Sequence, residues 1–206
     1  MGYAWWNGNA WVTQTVDFAG NAGTYTSLAL DSTSAPHISY YNTTQHSLKY
    51  AWQTGGAWVT ETVDNSADVG AYVSLAIDQS DIPHVSYYDA THRALKYSVR
   101  IGGVWQTQTV DSSNDVGSYT SIAIDSQGNP HISYTQNNWG GLKYAVWTGS
   151  QWVIQNVVSL WAVGTFSSLA LNAIGQPTIS YVDGDRRELH IARGMPIWGY
   201  LPLIRR

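Results

Sequence analysis

The stretch GSYTSIAIDSQGNPHISY, residues 117–134, decides the fold because it occurs four times at a fixed spacing. Its other copies are residues 23–40, 70–87 and 164–181, so each begins 47 residues after the previous one. A fixed period of this length is typical of repeat architectures, in which one unit cannot bury its apolar surface alone and must stack on its neighbours. We therefore predict an array of stacked units.

Further markers keep the same step, without insertion or deletion from Tyr3 to Ile191. A W-x5-D motif occurs in three copies, and valine replaces its aspartate in the fourth. The tryptophans of this motif and a second marker, a leucine, are Trp11, Trp58, Trp105 and Trp152, and Leu48, Leu95, Leu142 and Leu189. So many aligned positions exclude a chance periodicity.

Each copy is predicted to form four short strands. Its segments are rich in Val, Thr, Ile, Tyr and Trp and poor in strong helix formers, which argues against helical repeats of similar length. Glycine and asparagine between the segments favour tight hairpins. We label the strands A to D; in the first full copy they are Thr26–Leu30, His37–Tyr41, Leu48–Trp52 and Trp58–Val63. The predicted fold class is all-β, a β-propeller with four blades visible in the chain.

The number of predicted strands does not match a whole number of four-stranded blades. We expect the array to cover residues 1–193 and a non-repeating apolar tail to cover residues 194–206. The order is C-D, three runs of A-B-C-D and a final A-B-C, one strand more than four blades need. Strand D at Trp11–Val16 could complete the last blade, with the two terminal C strands competing for one position. A four-bladed monomer, a larger ring pooled from several chains and a fragment of a longer array all remain open.

Composition narrows the functional classes. The net charge is −4 and no basic block exists, which argues against a nucleic-acid partner. No apolar run is long enough for a membrane span, and residues 1–6 do not resemble a signal peptide. Cysteine is absent, so disulfide and thiol chemistry are excluded. The location stays open, and a secreted or cell-surface protein is compatible with the sequence.

No catalytic motif is present: there is no phosphate-binding glycine loop, no HExxH and no GxSxG. The histidines His37, His84 and His131 occur once per copy, whereas a catalytic group occurs once per site. They are interpreted as structural residues at the start of strand B, as repeated ligand contacts or as ligands of a shared metal. Asp183 and Asp185 could suggest glycoside hydrolysis, but they share one short polar loop. We predict no enzyme, no catalytic residue, no metal and no cofactor.

Repeated aspartates are predicted to form turns. Asp31, Asp78 and Asp125 follow strand A, where such side chains bond backbone N–H groups two residues on, with calcium binding as the lesser alternative. A second set follows strand D and consists of Asp17, Asp64 and Asp111. For this second set, contact with a ligand is the alternative to a turn.

The variable B–C loops share one face with the D–A loops, and variable loops on a regular scaffold usually carry specificity. Aromatic side chains near Asp and Asn suit sugars, which present apolar C–H faces and a rim of hydroxyls. Packing between blades is the alternative for the tyrosines. The candidate ligand-binding residues are Tyr25, Tyr72, Tyr119, Tyr41, Tyr88, Asp89, Trp139, His37, His84 and His131.

The repeat resembles known propellers. Residues 121–134 and 48–51 are similar to the bacterial propeller repeats grouped near fucose-binding lectins and sialidase-like propellers, and the 47-residue step resembles that of tachylectin-type lectins. The resemblance implies sugar pockets repeated between blades. The Asp-x-x-Gly turn matches the sialidase Asp-box only in part, and the sialidase set of three arginines, a tyrosine and acids has no counterpart, which argues against hydrolysis.

These observations favour a non-catalytic binding propeller, a multivalent carbohydrate-binding lectin. The alternative is a structural or interaction scaffold, engineered or fragmentary, that closes by oligomerisation. A glycoside hydrolase with its site near residues 183–188 comes third. The expected partners are glycans or another protein, and blade sharing would produce a homo-oligomer.

Overall fold

The chain is a β-propeller array of antiparallel sheets. The computed structural model describes residues 1–138 and 140–194, which contain seventeen strands and no helix. The strands are β1 Gly2–Trp6, β2 Trp11–Thr15, β3 Ala22–Leu30, β4 Pro36–Asn42, β5 Ser47–Thr54, β6 Ala57–Asp64, β7 Val69–Ile77, β8 Pro83–Asp89, β9 Ala94–Ile101, β10 Val104–Asp111, β11 Val116–Ile124, β12 Pro130–Gln136, β13 Leu142–Trp147, β14 Trp152–Val158, β15 Val163–Leu171, β16 Pro177–Asp183 and β17 Glu188–Arg193. Since the described residues form no helix, none crosses a membrane as a helix.

The sheets follow the predicted units. Strands β3–β6, β7–β10 and β11–β14 form four-stranded sheets, which we call blades 1, 2 and 3. Strands β15–β17 form three-stranded blade 4, and β1 pairs with β2 in an N-terminal hairpin. Each blade is a meander of consecutive strands, so the predicted order C-D, three times A-B-C-D, then A-B-C is confirmed.

Strand A begins earlier than predicted. In blade 1 it starts at Ala22 rather than Thr26, and its pairing with β4 shifts register twice before Ser27. The glycine that precedes this segment in every copy therefore lies inside strand A. The structure requires glycine for close approach as well: a Cβ on Gly117 (φ 112°) would lie 2.8 Å from the Cα of Leu95 on the preceding blade.

The core lies in the seams between consecutive blades. In the first seam, Leu48 and Tyr50 of blade 1 pack with Leu75 and Tyr87 of blade 2, and the Trp105 ring meets Tyr50 edge-on at 5.1 Å. The second seam joins blades 2 and 3, and the third joins blades 3 and 4. Full burial of one large apolar side chain contributes about 1.5–3 kcal/mol, so stacking supplies what a single sheet cannot.

The predicted turns after strand A are confirmed. Oδ1 of Asp31 accepts hydrogen bonds from the backbone N–H groups of Thr33 at 2.9 Å and Ala35 at 2.8 Å. Asp78, Asp125 and Asn172 close the equivalent turns in the same way.

The two ends of the array are not joined in the described residues. Strand β2 pairs with β1, and β17 pairs with β16, so the completion of blade 4 by strand D of residues 11–16, which the sequence left open, does not form. Each of the two terminal C strands already holds the C position beside its own neighbour. The predicted tail, residues 194–206, lies outside the described residues except for Gly194, so the domain boundary stays a prediction.

Candidate functional site

The B–C and D–A connections meet at one edge of every blade, which we call the loop face. Meander topology puts the A–B and C–D turns at the opposite edge. A backbone hydrogen bond joins neighbouring blades at the loop face, because Val69 N–H of blade 2 donates to the carbonyl of His46 in the B–C loop of blade 1 at 3.3 Å. Val116 N–H repeats this bond in the second seam by donating to the carbonyl of Arg93 at 3.1 Å. The loop face is therefore a continuous surface that crosses the seams.

Four aromatic rings run across this face, one from strand A of each blade. The ring centroids of Tyr25 and Tyr72 lie 4.7 Å apart, those of Tyr72 and Tyr119 4.6 Å, and those of Tyr119 and Phe166 4.7 Å. We call these four residues the aromatic row. Tyr25 and Phe166 are exposed, while Tyr72 and Tyr119 are half-buried. The row brings together three tyrosines that the sequence predicted to bind ligand.

Every residue of the row has a left-handed backbone, with φ of 51°, 54°, 50° and 53° in chain order. Bulky residues avoid this region, and each costs on the order of 1–3 kcal/mol. Glycine would adopt the same φ without that cost. An aromatic residue nevertheless stands at all four equivalent positions with this strained φ. A backbone outlier of this kind supports a hypothesis of function.

A tyrosine–aspartate pair lies beside the row in two seams. In the first seam, the hydroxyl of Tyr41 donates to Oδ1 of Asp68 at 2.5 Å, and its ring centroid is 6.4 Å from that of Tyr25. In the second seam, Tyr88 donates to Oδ1 of Asp115 at 2.7 Å, and its ring lies 6.2 Å from Tyr72. The third seam lacks the pair.

In the third seam the equivalent positions hold Thr135 and Ala162, and the Thr135 hydroxyl bonds the backbone carbonyl of Gly164. The tyrosine–aspartate pair therefore occurs in the first and second seams, and the third seam is an equivalent position without it.

The hydroxyls of these pairs stay protonated at neutral pH. Burial, followed by the hydrogen bond to Asp68, raises the pKa of Tyr41 far above its ordinary value. The same causes, with Asp115 as the partner, raise the pKa of Tyr88 to about 12. Each hydroxyl is thus a permanent donor that fixes the orientation of its carboxylate.

Asp89, another predicted site residue, does not join this surface. Asp89 is buried, and its carboxylate accepts from the backbone N–H of His92 at 2.9 Å and bonds Nδ1 of the same ring at 2.8 Å. The Asp89 carboxylate therefore stabilises the loop of residues 90–93. Trp139 lies outside the described residues.

The predicted histidines lie at the other edge of the blades. Nδ1 of His37 bonds the hydroxyl of Tyr50, and its Nε2 lies 3.4 Å from Oδ2 of Asp31. His84 and His131 repeat this geometry with their own blades' tyrosine and aspartate. Strand B separates each histidine from the loop face, so the structure does not bring the two predicted groups together.

Sequence reasoning missed the charged contacts inside the seams. Asp64 forms its turn by accepting from Ser66 N–H at 2.9 Å, but its Oδ2 also accepts from Nζ of Lys96 at 2.6 Å. Asp111 and Lys143 repeat the pair. The available signal was covariation: where Val158 replaces the aspartate in the fourth copy, His190 replaces the lysine.

One ion pair belongs to a single seam. Nε of Arg100 donates to Oε1 of Glu61 at 2.7 Å, and its guanidinium lies 4.9 Å from the ring centroid of Trp52. The positions equivalent to Arg100 hold Gln53 and Trp147, so the pair is not repeated. Within residues 1–138 and 140–194, no group of three or more His, Asp or Glu side chains could hold a metal ion.

Comparison with known proteins identifies the fold. No protein-family model and no curated protein matches the chain. Among solved structures, the Aleuria aurantia lectin N224Q mutant in complex with Fucα1-6GlcNAc matches with a TM-score of 0.56 and 13% identity, over 86% of this chain and 61% of the lectin. A protein of unknown function from Dyadobacter fermentans matches with a TM-score of 0.61 and 10% identity, over 83% of this chain and 65% of that one.

The Hadza microbial sialidase Hz136 matches with a TM-score of 0.59 and 10% identity, over 84% of this chain and 44% of the sialidase. The chain thus spans less than two thirds of each of these proteins. At such identities the likeness shows a propeller fold of the lectin and sialidase type. That fold supports both sugar binding and catalysis, so function must be argued from the site itself.

Proposed function

We propose that this chain is a non-catalytic carbohydrate-binding propeller with two equivalent sites on the loop face. The first site consists of Tyr25, Tyr41, Tyr72 and Asp68. The second repeats it one blade further on with Tyr72, Tyr88, Tyr119 and Asp115. The observation that carries the proposal is the recurrence of one tyrosine–aspartate pair beside an unbroken row of aromatic rings.

The chemistry of these groups fits a sugar. A tyrosine ring offers an apolar surface for the C–H face of a pyranose, with its polar hydroxyl at the edge. The carboxylate can accept charge-assisted hydrogen bonds from sugar hydroxyls, and the tyrosine occupies only its Oδ1. The strained φ at Tyr25, Tyr72 and Tyr119 is consistent with rings retained for contact.

Repetition favours binding over catalysis. Each site supplies one carboxylate, whereas glycoside hydrolysis commonly needs two carboxylates flanking one bond. In the loop predicted for a hydrolase, the buried Asp183 accepts from Arg186 N–H at 3.1 Å, so it serves its own turn. Two weak sites on one chain gain avidity on a multivalent glycan without any new contact.

A glycan array at high protein density, followed by calorimetry on the best ligand, tests the proposal. We expect two sites per chain and at least a tenfold loss of affinity in Tyr72→Ala, because Tyr72 belongs to both sites. Phe166→Ala is the matched control, since it removes a row ring in the seam without a tyrosine–aspartate pair. Absence of binding to every glycan, or an equal loss in both folded variants, would contradict the proposal.

A scaffold that associates through its terminal blades is the second candidate. Leu28 of blade 1 and Leu189 of blade 4 are 52% and 74% exposed, while their interior equivalents Leu75 and Leu48 are buried. These positions are covered where another blade stacks on them, so a blade of a second chain could cover them in the same way. The native mass of the chain tests this candidate: a single-chain mass at micromolar concentration would eliminate it, and a multiple would support blade sharing.

A further inference from the structure

The carboxylates of the two sites differ from the other seam carboxylates in their charge balance. Asp64 and Asp111 are each neutralised by a buried lysine, Lys96 and Lys143. Among the described residues, no lysine or arginine forms an ion pair with the carboxylates of the sites. Asp68 has an imidazole neighbour, His46, with Nδ1 at 3.4 Å. Neither carboxylate is therefore occupied by a lysine or arginine of the described chain, so an incoming cation would not have to displace one.

Each carboxylate also keeps one oxygen available. Oδ1 of Asp68 is bonded by Tyr41, and Oδ1 of Asp115 is bonded by Tyr88 and by Nδ2 of Asn137 at 2.8 Å. Within the described part of the chain, Oδ2 of neither aspartate has a hydrogen-bond donor. The Asp68 side chain is 41% exposed, so its free oxygen is within reach of a ligand on the loop face.

The rings beside these oxygens favour a cation as well. An aromatic face attracts a positive charge within about 6 Å of its centroid, and the attraction increases with desolvation. Tyr41 bonds the first carboxylate, and the rings of Tyr25 and Tyr72 follow it in a continuous series of ring contacts; the second carboxylate has an equivalent set.

We propose that the sites select sugars that carry a free amine, with the ammonium on Oδ2 of Asp68 or Asp115 and the pyranose on the tyrosine rings. This inference rests on the proposed function and deepens it by naming the ligand class. A neutral hydroxyl would satisfy the oxygen but not the charge, whereas an ammonium satisfies both.

Matched oligosaccharides provide the test. Calorimetry at pH 7.0 compares a glucosamine trimer with its N-acetylated counterpart, which has the same ring and linkage but no charge. An amine with the pKa of an α-amino group, about 7.7–8.0, is largely protonated at this pH. We expect at least tenfold tighter binding of the amine form, and a smaller preference at high salt because exposed charges are screened.

The variant Asp68→Asn/Asp115→Asn keeps an acceptor for each tyrosine but removes the charge. It should lose the preference while still binding the N-acetylated trimer. Asp81→Asn is the matched control, because Asp81 is an exposed carboxylate at the opposite edge, bonded to Ser32, and its loss should leave the preference unchanged.

The outcomes separate the two proposals. Equal or tighter binding of the N-acetylated trimer overturns the amine preference and leaves carbohydrate binding in place. A preference that survives in the double variant also overturns it, since the attraction would then be unspecific. If neither trimer nor any arrayed glycan binds, both proposals fail.

Discussion

The hydroxyl of Tyr87 lies 2.7 Å from Oδ2 of Asp64 and donates a hydrogen bond to it across the first seam. Lys96 donates to the same oxygen. Burial acts to raise the pKa of Asp64, but the hydrogen bonds from Lys96, Ser66 and Tyr87 outweigh it and lower the pKa below its ordinary value. Two neighbouring strands of blade 2 thus hold one anion at the end of blade 1.

Removal of this hydroxyl should destabilise the fold. Tyr87→Phe deprives the buried Asp64 of one donor, and a buried polar group that loses a partner costs about 1–3 kcal/mol. The free energy of unfolding in urea measures the loss. Tyr88→Phe is the control, because its hydroxyl bonds the more exposed Asp115, and we expect a clearly smaller effect. Equal losses in the two variants would show that the Tyr87–Asp64 hydrogen bond contributes no more to the free energy of unfolding than the Tyr88–Asp115 bond.

The lysine of the same cluster allows a stronger test. Lys96→Met leaves the Asp64 charge buried without compensation, and breaking such a pair costs about 3–5 kcal/mol. Addition of Asp64→Val, the residue that Val158 places in the third seam, should recover a large part of the loss. Urea unfolding of the two single variants and the double variant gives the coupling free energy.

The result that would contradict this account is additivity. If the double variant lost the sum of the two single losses, the charges would act independently despite their 2.6 Å separation.

The sequence predicted blades, strand order and turns because these depend on local pattern. Pro36 and Asp31 set the turn after strand A, and their equivalents repeat it in every copy, with Asn172 replacing the aspartate in the fourth. The sequence contained a signal for the Asp64–Lys96 pair, because Val158 and His190 replace both residues together in the fourth copy, but the contact with Tyr87 forms only when two blades stack. The predicted strand order also separates Tyr25 from His37, because His37 begins strand B at the A–B edge, opposite the loop face.

The tryptophans of the W-x5-D motif differ in a way that only the structure reveals. Nε1 of Trp105 donates to Glu61 at 2.6 Å, whereas Nε1 of Trp152 is buried and has no hydrogen-bond partner among residues 1–138 and 140–194. Trp105→Phe should therefore cost about 1–3 kcal/mol more than Trp152→Phe, because it leaves a carboxylate short of a donor. Urea unfolding of the two variants makes the comparison, and equal costs would mean that Trp152 finds a partner in solution.

The buried histidines should make stability depend on pH. Burial, opposed by Asp78 and Asp125, lowers the pKa of His84 and His131 below 6.5 in the folded chain. The unfolded chain therefore binds more protons below about pH 7, so stability is full at higher pH and is lost as the pH falls through the folded-state values. Protonation of His84 would also put a hydrogen on Nδ1, the atom that the Tyr97 hydroxyl bonds, so that two donors would face each other. We expect a lower urea midpoint at pH 5.5 than at pH 7.5.

His84→Thr, which copies Thr178 of the fourth repeat, should reduce this difference, and His46→Thr on the exposed loop should not. An unchanged pH dependence in His84→Thr would refute the assignment.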